Sequence, residues 1–203
     1  MPKQVNAEAR RGELAAATRR VILCRGLEGT TLREVAQEAG WSIGVLAHYF
    51  ATKDELLRYS LADPTWVMNR FDTTEPDGLA SVRRIVERLL PLNAEMRDMW
   101  HVWMTFWVSW PGDDSWDRER RLRQRRFRRF CRGLVRHARD RGELHADLDA
   151  ERAGDALVVL LHGIGVQAVM DPRAWPQRRQ LEELDIFFTT RLQADSPEDT
   201  TCG

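Results

Sequence analysis

Apolar residues return every three or four positions along almost the whole chain, and no run alternates apolar and polar side chains between turn signals. The first pattern gathers apolar groups on one side of a helix, with a period of about 3.6 residues; a half-buried strand would need the second. The chain is therefore expected to be all-α, with about nine helices set off by their own start and stop signals. The first spans roughly 8–26 and stops at Gly26. The second opens at Thr31, with Glu34 three residues on as in a capping box, and stops at Gly40. A third runs from Ser42 to about 48. A fourth opens at Thr52, with Glu55 completing another box, and continues to the high 60s. The cluster TTEPDG (73–78) reads as a turn and a joint. Further helices are expected at about 77–90, across the tryptophan-rich 99–110, at 114–141 up to Gly142, from Asp149 to before Asp171-Pro172, and from Pro176 to about 193. The last residues, QADSPEDTTCG, are expected to be disordered.

At 203 residues the chain has room for one domain or two small ones with a real core. Its 31 basic and 31 acidic residues cancel, but unevenly. Residues 1–33 hold seven Arg or Lys against three acids, residues 117–141 twelve Arg against three, and residues 142–203 twelve acids against five Arg. Lys3 and Lys53 are the only lysines. Cys24, Cys131 and Cys202 show neither a CxxC pair nor metal-ligand spacing. With no apolar stretch in MPKQVNAEARR, a cytoplasmic protein is expected.

Residues 99–110, MWHVWMTFWVSW, hold four of the eight tryptophans. The run is too short for a membrane span, which needs about 20 apolar residues. Trp100, Trp103, Trp107 and Trp110 step by three, four and three, which places them within an arc of roughly 80° on a helix. Such a stripe suits either ordinary core or the wall of a binding pocket.

Residues 31–50, TLREVAQEAGWSIGVLAHYF, form two short helices around Gly40, the outline of a helix-turn-helix whose second helix can enter a major groove. The longer string GLEGTTLREVAQEAGWSIGVLAHYFATKDELL (26–57) resembles the DNA-binding region of TetR-family regulators, through Gly26, Thr31, Val35-Ala36, Ala39-Gly40, Ser42, Gly44, Leu46, His48-Tyr49-Phe50, Lys53 and Leu56 in the family's order. The resemblance implies a three-helix DNA-binding domain over 1–58, a ligand-binding and dimerisation domain over 59–195 and a free tail over 196–203. It also implies a homodimer on a near-palindromic operator, most often a repressor released by a small-molecule effector. Expected DNA-facing residues are Thr31, Arg33, Ser42, Ile43, Gly44, Val45, Ala47, His48, Tyr49 and Lys53, with Lys53 at a phosphate. Packing against the first helix is the other reading for His48 and Tyr49. The family commonly has Lys where Ile43 stands and Tyr where Ala47 stands. Their loss predicts a shallower salt dependence and leaves Val45 and Ala47 able to touch thymine methyls. Trp41, where Val is usual, is expected to plug the small core.

LHGIGVQAVMDPRAW (161–175) is similar to the corresponding segment of BetI-like members. In this family the last two helices pair with their twins, and the stripes Ala156, Leu160, Gly163, Gln167, Met170 and Leu181, Leu184, Phe188 suit that role, or an intrachain bundle at the same spacing. The sixth helix borders the ligand cavity in the family, so the resemblance implies a site on Trp100, Trp103, Met104, Phe106, Trp107, Trp110, Phe127 and Phe130, with His101 or His162 as a polar contact, for a flat aromatic or hydrophobic effector. A choline-like cation is the BetI-type alternative. The arginines of 118–141 are expected on a solvated face, not on DNA. No nucleophile elbow, phosphate loop or metal cluster is present, so no enzyme activity, cofactor or metal is expected. Ile43 and Ala47 keep a second function open, a helical small-molecule binding protein with little or no DNA binding.

Overall fold

The computed structural model describes residues 2–61, 78–108, 114–145 and 147–192, with side chains from Ala7 and without that of Val108. Within these residues the secondary structure is helical throughout, in nine α-helices. They are α1 (Pro2–Arg25), α2 (Leu32–Ala39), α3 (Ile43–Tyr49), α4 (Lys53–Leu61), α5 (Gly78–Glu87), α6 (Ala94–Val108), α7 (Asp114–Asp140), α8 (Ala150–Met170) and α9 (Gln177–Phe187), and a π-helical turn, Phe188–Leu192, follows α9. The expected order holds and most borders fall within a few residues of expectation, except that α1 begins earlier and the tryptophan helix already begins at Ala94. The joint at 73–77, the fourth helix beyond Leu61, Trp110 and the tail fall outside the described residues.

The borders have local causes. Thr31 and Ser42 cap α2 and α3 by accepting the N–H groups of Glu34 (3.2 Å) and Val45 (3.3 Å). Gly40 ends α2 at φ 71°, a left-handed conformation that glycine adopts without strain, and lets the N–H of Trp41 reach the Ala36 carbonyl at 2.8 Å. Glu55 completes its box one residue early, accepting from the N–H of Ala51 at 2.9 Å. The Glu34 carboxylate pairs with Arg25 instead of reaching back to the Thr31 backbone.

The chain divides into two compact units, one of residues 1–70 and 98–116, the other of 71–97 and 117–203. In the first, Leu14, Ala17 and Val21 put one face of α1 against Val35 and Ala36 of α2, Leu46 of α3, Phe50 and Leu56, all buried. A second cluster joins Ile22, Leu27, Leu57 and Leu61 to Val102 and Phe106 of α6 and to Trp116. The neighbours Leu56 and Leu57 thus point from α4 into different clusters. Arg58 lies over the Trp116 ring, 4.3 Å from its centroid, and donates to the Ser115 hydroxyl at 2.8 Å.

In the second unit, α8 turns Ala153, Leu157, Leu161, Ile164 and Ala168 inward. By length and composition α8 matches a membrane span, yet 44% of that window is buried in the protein's own core. Acidic residues on α8 answer arginines on α7. Arg132 holds Asp155 with two bonds of 2.7 Å and Glu151 at 2.8 Å, and Arg136 reaches Glu151 at 2.7 Å. Hydrogen bonds from Arg132 keep the Asp155 carboxyl below its usual range. Burial pushes the Cys131 thiol up to about 12, so it stays protonated and packs as a small apolar group.

Gly154 sets the spacing of α7 and α8. A β-carbon there would sit 2.6 Å from the α-carbon of Arg132, a backbone atom that cannot step aside. Gly154→Ala is expected to destabilise the chain by about 1–3 kcal/mol, the usual cost of overpacking a core. Thermal unfolding measures this; an unchanged or raised Tm would contradict it.

Candidate functional site

α3 is held by one fully buried side chain, Leu46, and by the half-buried Tyr49. Every other position from Ser42 to His48 is exposed. Ile43 retains 49% and Val45 44% of its surface, unusual values for large aliphatic residues in a unit with a packed core alongside. His48 stands edge-on to Tyr49, with centroids 5.3 Å apart. Tyr49 meets Trp41 at 5.8 Å and packs on the first cluster, as the packing alternative had it for the tyrosine but not for the solvent-facing histidine. Trp41 also packs there, with Arg10 over its ring at 5.1 Å. Thr31, the cap of α2, and Arg33 in its first turn are exposed.

Lys53 has partners within the chain: its ammonium donates to the carbonyls of Leu27 (3.0 Å) and Glu28 (3.3 Å), so it ties the turn after α1 to the start of α4. This explains a cation in the first turn of a helix, where the dipole disfavours it. Arg11 braces the fold in a similar way. It donates to the Tyr49 carbonyl at 3.1 Å and lies over Phe50 and Tyr59 at 4.4 and 4.6 Å. Neither role is visible in sequence, because each depends on a carbonyl or ring brought close by the fold.

The tryptophan stripe divides by depth. Trp100 is buried, and its ring meets Trp103 and Trp107 edge to face at 5.4 and 5.9 Å. Rings this close leave no room between them for an ammonium group. Trp103 and Met104 are half-buried, and Trp107 is 37% exposed. Phe106, expected at the pocket, is core instead: it is buried against Trp116 at 5.5 Å. His101 is exposed. In the second unit, Phe127 is buried and stacks on His162 at 5.5 Å with 22° between planes, and Phe130 is half-buried. Burial lowers the proton affinity of His162, which favours its neutral form.

On α8, Ala156, Leu160, Gly163, Gln167 and Met170 share a face, with the first two half-buried and the rest exposed. Val159, which sequence reasoning passed over, lies amid them and is 71% exposed, as is Met170. The α9 stripe needs correction. Leu184 and Phe188 are buried in the chain's own core and Leu181 is half-buried, so the stripe faces inward, while Ile186, 54% exposed, lies on the opposite side. The strongest apolar period on a helix marks its core face, and a partner surface must use another. Val159 could have been found from its place between Ala156 and Gly163. Among the described residues no cluster of His, Cys, Asp or Glu is arranged to hold a metal.

Residues 14–59 match the family model described as bacterial regulatory proteins, tetR family, and residues 79–193 the model described as BetI-type transcriptional repressor, C-terminal. The HTH-type transcriptional regulator PksA of Bacillus subtilis is 32% identical over 177 residues, covering 85% of this chain and 84% of that protein. The regulator BetI of Burkholderia ambifaria is 30% identical over 206 residues, 96% of this chain and all of that one. Among solved structures, a transcriptional regulator from Rhodococcus sp. Rha1 is 28% identical with a TM-score of 0.71, over 89% of this chain and 95% of that one. A regulator from Saccharomonospora viridis in complex with choline shares the fold, at 22% identity and a TM-score of 0.76, over 92% and 99% of the two chains. The outward α3, the helical second unit and these matches lead to one conclusion: the chain belongs to the TetR family of bacterial transcriptional regulators, DNA-binding proteins and not enzymes, with a BetI-type C-terminal region.

Proposed function

We propose that this protein is a cytoplasmic, homodimeric repressor that binds a near-palindromic operator through α3 and is released by a hydrophobic or aromatic small molecule. Residues 1–58 carry the DNA contacts, and residues 59–195 carry the effector and dimer surfaces. The observation that carries the reading is the exposed face of α3, fixed to a closed core by Leu46. A two-fold dimer places its recognition helices in grooves about 34 Å or a multiple apart, hence two related half-sites. A mobility shift with the DNA upstream of the protein's own gene tests this. A retarded band that resists random competitor DNA supports it; its absence favours a ligand-binding protein without an operator.

The dimer face is proposed on the side of α8 that carries Val159, Gly163, Gln167 and Met170, with Ile186 from α9. Three large apolar side chains more than half exposed support it. A β-carbon at Gly163 would meet nothing within 4 Å in the chain. Gly163→Leu therefore leaves one chain's packing untouched but would crowd a twin, at a cost of about 1–3 kcal/mol. Light scattering on dilution should show the variant dissociating at higher concentration than the wild type. Equal dissociation would remove Gly163 from the seam.

The effector is proposed to lie on the accessible faces of Trp103 and Trp107. Choline, bound by the Saccharomonospora viridis regulator, and triclosan, bound by the SmeT protein, are suitable probes of the two ligand classes. The edge-to-face packing of the indoles favours the flat aromatic. Triclosan should quench tryptophan fluorescence and weaken operator binding about 5- to 150-fold, an ordinary allosteric coupling. Trp107→Ala should keep operator binding and lose that response. A variant with lowered Tm and an intact response would make Trp107 core and not ligand site.

A further inference from the structure

The exposed face of α3 holds six positions, 42–45, 47 and 48, and few of them can hydrogen-bond to a base. Ser42 already accepts the N–H of Val45 at 3.3 Å, although its own hydroxyl proton stays available. His48 offers one imidazole. Gly44 has no side chain. The other three, Ile43, Val45 and Ala47, end in methyl groups, and two of them keep nearly half their surface in solvent. The recognition groups that base pairs present in the major groove are hydrogen-bond donors and acceptors, apart from one apolar group, the C5-methyl of thymine. An aliphatic side chain pressed onto a polar edge strips water from it and returns no hydrogen bond, which is unfavourable. Pressed onto a thymine methyl, it buries apolar surface on both sides.

The arrangement along the helix is specific. Ile43 and Ala47 are four residues apart and share one flank, while Val45 and His48 share the other. Between the flanks lies Gly44, where an added β-carbon would meet nothing nearer than the Ser42 hydroxyl at 3.9 Å. The backbone can therefore come close to the bases at Gly44, with a methyl-bearing side chain to either side.

We propose that Ile43 and Val45 are specificity-determining residues that read thymine C5-methyl groups, one on each flank of Gly44, with Ala47 extending the contact made by Ile43. Each operator half-site then carries thymine at two positions fixed by these side chains. The proposal rests on the DNA-binding reading above and adds the chemistry by which the site is recognised.

The test uses the full-length protein and an operator selected from random duplexes. Each half-site thymine is replaced in turn by deoxyuridine, which removes the methyl and keeps the base pair. At two positions the wild type should bind about fourfold more weakly, the fold-change equivalent to about 0.8 kcal/mol for one buried methyl-sized group. Ile43→Ala should abolish the sensitivity at one of these positions and Val45→Ala at the other; both residues are exposed, so the fold is not at risk. Equal affinity for thymine and uracil at every half-site position overturns the proposal and leaves the regulator reading intact. Failure to select any duplex overturns the regulator reading, and the proposal with it.

Discussion

The contact on which the rest depends is the cluster that seats Val102 and Phe106 of α6, with Trp116, among Ile22, Leu27, Leu57 and Leu61. It makes the tryptophan helix part of the same compact unit as the helix-turn-helix. Val102 and Leu57 are fully buried, and Trp116 is 1% exposed. At interior packing density, such groups cannot shift independently of one another. The adjacent flank of α6 presents Trp103 and Trp107. One helix therefore carries both an aromatic surface and a rigid grip on the helices that hold α3.

α4 extends this link. Leu57 belongs to the cluster with α6, and its neighbour Leu56 belongs to the cluster with Leu46 and Phe50 beneath α3. At its start, Lys53 grips the two carbonyls after α1, and Arg58 covers Trp116. Consecutive residues of one element thus join α6 to the base of the recognition helix, and a displacement of α6 would meet both clusters through them. An effector shifts the DNA-binding equilibrium only to the extent that it binds the two states differently. In this chain the described part of α4 buries Leu56, Leu57, Ser60 and Leu61 and is clamped by polar contacts at Lys53 and Arg58.

Most of the architecture was legible in the sequence, because caps and stops are local. Thr31, Gly40, Ser42, Thr52 and Asp149 act within a few residues of themselves, and each marks a border in the structure. The outward residues of α3 were expected from the resemblance of 26–57 to TetR-family regulators, and in the structure Leu46 and Tyr49 turn inward and leave the rest of the helix exposed. What sequence could not supply was which face meets what. Phe106 shares the aromatic character of the tryptophans but points into the cluster with Trp116. Leu184 and Phe188 have helical spacing, and that spacing belonged to the core side of α9, while Ile186 points away. The hold of Lys53 on the carbonyls of Leu27 and Glu28 was not legible either, because those groups are distant in sequence and only the fold places them beside it.

The central claim is that the tryptophan helix and the DNA-binding helices move as one body. Fluorine NMR on protein labelled with 5-fluorotryptophan, titrated with operator duplex and assigned by single Trp→Phe changes, tests this without any effector. The account predicts that Trp116, buried in the shared cluster, and Trp107, on the adjacent flank of α6, change resonance together with Trp41, which meets Tyr49 of α3. A shift confined to Trp41, with Trp107 and Trp116 unmoved at saturating DNA, would contradict it.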